Sequence, residues 1–121
     1  MRKKIALAAV AMTAALAPLA VATPAQADTN GPSGCNKRVC IYTAYTGSGW
    51  QVWGEFNVNI NEGHIDFWGP NGFRQSSPNG YWPAGHDTAR FSGSGSGQLC
   101  AQGWSRVGGV WYSYGLPCVN M

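Results

Sequence analysis

Charge is scarce in this chain: Asp, Glu, Lys and Arg together make up 11% of its 121 residues. Three of the eight basic residues, Arg2, Lys3 and Lys4, sit at the extreme N-terminus, whereas all five acids follow residue 27. Residues 28–121 therefore set five cations (Lys37, Arg38, Arg74, Arg90, Arg106) against five anions (Asp28, Glu55, Glu62, Asp66, Asp87), and the balance is zero. Nucleic acid and anionic membranes are bound mainly through clustered Lys and Arg, so neither is an expected partner. Good helix formers are equally rare. Past residue 27 Lys37, Leu99 and Leu116 are the only Lys and Leu, and no segment reads as a helix. Catalytic and metal signatures are missing too. There is no Cys-x-x-Cys, His-Glu-x-x-His, acidic calcium loop or Gly-x-Ser-x-Gly elbow. No cofactor is expected.

A single long apolar run is present, and it reads as an address. Arg2-Lys3-Lys4 is a positive start, Ile5 to Leu16 is Ala-rich and apolar, and Ala25-Gln26-Ala27 is a small-residue cleavage site, with Ala20-Val21-Ala22 as a second. The run falls short of the ~20 residues that span a bilayer, and Pro18 follows it. No Cys ends it, which argues against a lipid anchor. Residues 1–27 are thus expected to be a cleaved signal peptide, and the protein to be secreted and monomeric. Taking 27 from 121 leaves 94 residues, one small domain. Export gives the four Cys their meaning, because short secreted chains use them as disulfides. Three pairings are possible. Cys35–Cys40 with Cys100–Cys118 is favoured, since the second bond would close the ends of a predicted hairpin.

Residues 28–34, with Gly31, Pro32 and Gly34, are expected to form a flexible N-terminal arm ahead of a single domain at 35–121. Beyond the arm the hydrophobic period is two. Val39 to Tyr45 is β-branched and aromatic, and Trp50, Val52, Phe56, Val58 and Ile60 alternate with polar residues, although Trp53 falls on the polar side. Gly54 within that run suggests a bulge or bend. His64–Trp68, Phe73–Gln75 and Thr88–Phe91 are further candidates, with Gly69-Pro70-Asn71-Gly72 as a strong turn. Gln98–Trp104 and Val110–Tyr114 make a final hairpin around Val107-Gly108-Gly109. Six or seven short strands with frequent turns predict an all-β fold, a single small antiparallel β-sandwich, Ig-like or related. Ser92 to Gly97 is read as a mobile loop within the domain.

The segments Arg38-Val39-Cys40-Ile41, Gly69-Pro70-Asn71-Gly72, Cys100-Ala101-Gln102-Gly103-Trp104 and Gly115-Leu116-Pro117-Cys118 resemble a group of small secreted actinobacterial proteins. That group carries a Cys-Ala-x-x-Trp strand and a Gly-x-Pro-Cys end. The resemblance implies a secreted Ig-like or similar β-domain, and it brings no catalytic residue.

Aromatic residues are what this sequence has in surplus. Six Trp, five Tyr and four Phe all follow residue 27, fifteen of 94 residues or 16%. Trp50, Phe56, Phe67 and Trp104 fit inward positions. Trp53, Trp68, Tyr81, Trp82, Trp111 and Tyr114 are the candidate binding residues, because neighbours on a strand face opposite ways and adjacent rings cannot all be buried. Exposed rings stack on sugar faces or anchor protein interfaces. The expected function is non-catalytic binding of an extracellular macromolecule. A protein partner leads, met by an inhibitor-like loop at 76–83, and a carbohydrate or cell-wall polysaccharide is the alternative. A structural role without a specific ligand is a third reading. A small hydrolase using Glu55 and Asp66 is a further alternative, and His64, His86, Asp66 and Asp87 are the residues that could supply a metal site.

Overall fold

The structure, a computed structural model, describes residues 29–121. The expected signal peptide lies outside the described residues. Eleven strands follow in chain order: β1 (Thr29–Asn30), β2 (Gly34–Asn36), β3 (Val39–Tyr45), β4 (Trp50–Phe56), β5 (Ile60–Trp68), β6 (Arg74–Ser76), β7 (Gly80–Trp82), β8 (Phe91–Gly93), β9 (Gln98–Val107), β10 (Val110–Gly115) and β11 (Cys118–Asn120). All pairings are antiparallel. One sheet runs β8-β4-β3, with β1 and β2 sharing the far edge of β3. The other centres on β9 and β5, with β10 and β11 along β9, and β6 and β7 along β5.

Alternation explains the layers. Val39 and Ile41 of β3 and Trp50, Val52 and Phe56 of β4 point inward from the first sheet. Ile60, Ile65 and Phe67 of β5, Leu99 and Ala101 of β9 and Val119 of β11 meet them from the second. Two apolar faces of this size need each other, and the result is the expected β-sandwich.

Both disulfides form as favoured, Cys35–Cys40 and Cys100–Cys118. Each joins direct register partners on adjacent antiparallel strands, with Cα atoms 4.0 and 4.1 Å apart. They staple strand to strand within a sheet, and neither crosses the core as the bond of antibody domains does.

Four local expectations are corrected. Residues 29–34 are no loose arm, because β1 pairs with Ala44 and Tyr45 and the Thr43 hydroxyl donates to the Pro32 carbonyl at 2.6 Å. The Ser/Gly run at 92–97 is held as well. Its first residues pair with Trp50 and Gln51, and the Trp50 indole N–H donates to the Gly95 carbonyl at 2.9 Å. Gly54 marks no bulge. Its register with Ile41 is regular, and its missing side chain makes room for Ile65 and Phe67, which would lie 3.3 Å from a Cβ there. Trp104 does not point inward. The inner positions of β9 are Leu99, Ala101, Gly103 and Ser105, and at Gly103 a Cβ would sit 2.5 Å from Val39 Cγ2 and 2.6 Å from Phe56 Cε1. Large side chains from the first sheet take that space, so the Trp104 ring goes to the outer face.

Gly103→Ala is expected to lower unfolding free energy by about 1–3 kcal/mol in urea titration, the usual cost of overpacking a filled core. Replacing Cys100 and Cys118 together by Ala should cost about 3 kcal/mol. The shorter Cys35–Cys40 loop should cost about 2 by the same chain-entropy relation.

Candidate functional site

The outer face of the second sheet gathers the chemistry. On β5, His64, Asp66 and Trp68 share one face, as their spacing predicts. On β9, Trp104 is the register partner of His64, and Gln102 that of Asp66. On β10, Trp111 lies opposite Arg106, and Ser113 opposite Trp104. His64, Asp66, Trp104 and Trp111 line a shallow groove of about 310 Å³.

Polar side chains along the groove are tied together in a chain. Arg106 lies 3.7 Å from Glu62, and the Asn79 amide donates to Glu62 Oε2 at 3.1 Å. Asn79 Oδ1 is 3.1 Å from His64 Nδ1, whose other ring nitrogen is 3.5 Å from Asp66 Oδ1. That oxygen accepts the Ser76 hydroxyl at 2.6 Å. The Trp111 ring stands edge-on to the imidazole, with centroids 5.1 Å apart. Gln102 donates to the Ser113 hydroxyl at 3.0 Å. The arrangement offers two flat apolar rings beside preset donors and acceptors.

The six aromatic candidates are not brought together. Trp111 is 40% exposed at the groove, and Trp68 is half-buried farther along the same face, in register with Cys100. Tyr81, at 60%, stands out from an edge strand. Trp82 is structural: its indole N–H faces the carbonyls of Gly63 and Pro78 at 3.0 and 3.2 Å, and its ring packs on the core. Tyr114 also packs on the core, with the Arg38 guanidinium 5.2 Å from its ring centroid.

Trp53 lies on the outer face of the first sheet between Tyr42, 6.1 Å away, and the Arg90 guanidinium, 3.6 Å from its ring centroid. Both of its faces are taken. The 76–83 segment, expected as a projecting loop, is laid along the edge of β5. The buried Ser77 hydroxyl accepts the Ile65 N–H at 2.8 Å, and β7 pairs with Ile60 and Gly63.

Glu55 and Asp66 do not meet. Glu55 is on the outer face of the first sheet, bonded to the Tyr42 hydroxyl at 2.7 Å, and the core separates it from Asp66. His86 sits beside Trp82, with ring centroids 5.8 Å apart. Among the described residues no three His, Cys, Asp or Glu side chains are grouped to hold a metal. Also among them, no helix is long and apolar enough to cross a membrane.

Trp104 is the groove residue that the alternation argument misplaced. A signal for it exists: Trp104 has the same parity as Gln102 and Arg106, and two polar residues out of three mark that face as the outer one. Among known proteins the chain matches no family model, no curated sequence and no solved structure.

The hydrogen bond to Glu55 pushes the Tyr42 phenol up to about 12, with burial and the charges of Glu55 and Asp87 adding to it. The neutral phenol is therefore favoured in the folded state. Its stabilisation is complete below pH 10 and is lost as pH rises through about 12. Ultraviolet titration should show one tyrosine ionising near pH 12, and Glu55→Gln should return it toward 10.

Proposed function

We propose that this protein is a small secreted binding domain, non-catalytic, whose outer-face groove takes a segment of an extracellular polysaccharide. Secretion rests on the N-terminal signal pattern at 1–27, and the two disulfides favour the same oxidising compartment. The observation that carries the ligand class is the pairing of Trp104 and Trp111 with the Glu62-Asn79-His64-Asp66-Ser76 chain.

A sugar ring has an apolar C–H face and a rim of hydroxyls. Indole rings suit the first. Carboxylate, amide and imidazole groups suit the second, and here they are pre-oriented by their own hydrogen bonds, which lowers the ordering cost of binding. The groove is shallow and open, a shape that suits a chain running across a surface.

A protein partner is the second reading. It is favoured by Val107, Val110 and Tyr112, each about half exposed near the tip of the β9–β10 hairpin. Contiguous exposed apolar residues of this kind mark interaction surfaces.

The saccharide reading is tested by retention on insoluble chitin, cellulose and peptidoglycan. Trp111→Ala and Asp66→Asn should each weaken retention about tenfold or more, equivalent to roughly 1.4 kcal/mol or more. Tyr81→Ala, away from the groove, should leave it unchanged. Unretained wild-type protein on all three matrices, or equal loss in all three variants, would remove the saccharide reading.

A further inference from the structure

The β9–β10 hairpin is longer than the sheet it should pack against. Val107, Val110 and Tyr112 lie on its inner face, the side that carries the core lower down, yet no strand of the first sheet reaches them. The nearest part of that sheet is the β2–β3 turn at Lys37 and Arg38. Between turn and hairpin lies a groove of about 680 Å³, lined by Lys37, Arg38, Val107, Tyr112, Ser113 and Tyr114. Val107 and Tyr112 lie on the face of the hairpin opposite to Trp104 and Trp111, and Ser113 reaches the groove from the strand edge.

Three features of this groove point to one kind of occupant. First, β10 is an edge strand. At its base the Arg38 N–H donates to the Tyr114 carbonyl at 2.9 Å, and from Val110 to Ser113 that edge has no other backbone partner among the described residues. Second, Lys37 and Arg38 are adjacent cations, and among the described residues neither is paired with a carboxylate. The Arg38 guanidinium is already placed over the Tyr114 ring. Third, the walls are tyrosine and valine, which give side chains apolar seats on either side of the charge.

We infer that this open end of the sandwich binds an extended, acidic segment of another protein, which adds as a strand to the free edge of β10 and sets a carboxylate against Lys37 and Arg38. An open row of backbone donors and acceptors is matched by a peptide backbone, and alternate side chains then fall into the groove. A polysaccharide offers no such regular pairing. A second copy of this chain pairing through β10 would bring no carboxylate to Lys37 and Arg38, because residues 107–116 contain neither Asp nor Glu. The site deepens the protein-binding reading and is independent of the saccharide one.

The test titrates ¹⁵N-labelled protein with a capped heptapeptide alternating Glu and Val, and with its Lys-for-Glu counterpart. The acidic peptide should shift the Trp111, Tyr112 and Ser113 amides and slow the hydrogen exchange of those among them whose N–H faces the free edge. Its affinity should fall about tenfold when Lys37→Asn and Arg38→Gln are combined. Asn tolerates the left-handed backbone of Lys37 (φ 54°), so the turn is kept. Raised ionic strength should weaken the same complex with no substitution at all.

Equal binding of the basic peptide, no binding of the acidic one, or alginate shifting the same amides as strongly would overturn the inference. So would a dimer through β10 in sedimentation velocity. Peptide shifts confined to other surfaces would remove this site while leaving the protein-binding reading standing.

Discussion

The contact of Val39 and Phe56 with Gly103 is the constraint on which the rest of the molecule turns. The two sheets approach closely because the inner row of β9 is small, Ala101, Gly103 and Ser105, where the facing row of β3 and β4 is large. That complementarity closes the core of a domain with little area to spare. It also decides where Trp104 goes. With no room inside, the ring becomes one wall of the outer groove, so the packing and the candidate binding face have one cause.

The second organising feature is unequal length. β9 runs ten residues, and with β10 it forms a two-residue hairpin closed by Gly108 and Gly109, both at positive φ. Only the lower part of the hairpin is covered by the first sheet. The upper part keeps the same alternation with nothing to bury against. One strand pair thereby presents indoles on one side and valine with tyrosine on the other. The disulfides support this at low cost in volume, because each lies between neighbouring strands and leaves the core to apolar side chains.

Much of the fold is legible in particular residues. The alternation from Trp50 to Phe56, the Gly69–Gly72 turn and the closing hairpin reappear where they are expected. The chain bends at 57–58, however, and Ile60 opens β5 of the other sheet, which runs on through residues 61–63. Asn71 and Gly72 take the positive φ that the turn chemistry requires. The favoured Cys pairing forms, although Cys118 meets Cys100 from β11, just past the closing hairpin. What the sequence hid are contacts between segments distant along the chain. Thr29 and Asn30 find the edge of β3, the Ser/Gly run is held by Trp50, and the 76–83 segment is pinned by Ser77 and Trp82. Composition marks such segments as loops. Whether a loop projects or lies flat depends on hydrogen-bond partners that are far away in sequence.

For the aromatic residues the division is plain. Scarce charge, a surplus of rings and period-two patterning by themselves determine a small β-sandwich with more aromatic side chains than one core can hold. Which rings are left over is a tertiary matter. Trp53 is capped by Arg90 and Tyr42, Trp82 is used as a brace, and Trp111 is left open beside Trp104. Strand parity assigns a residue to a face. Only the neighbouring strands and loops determine whether that face is covered, because covering depends on their lengths and on the volumes packed between them.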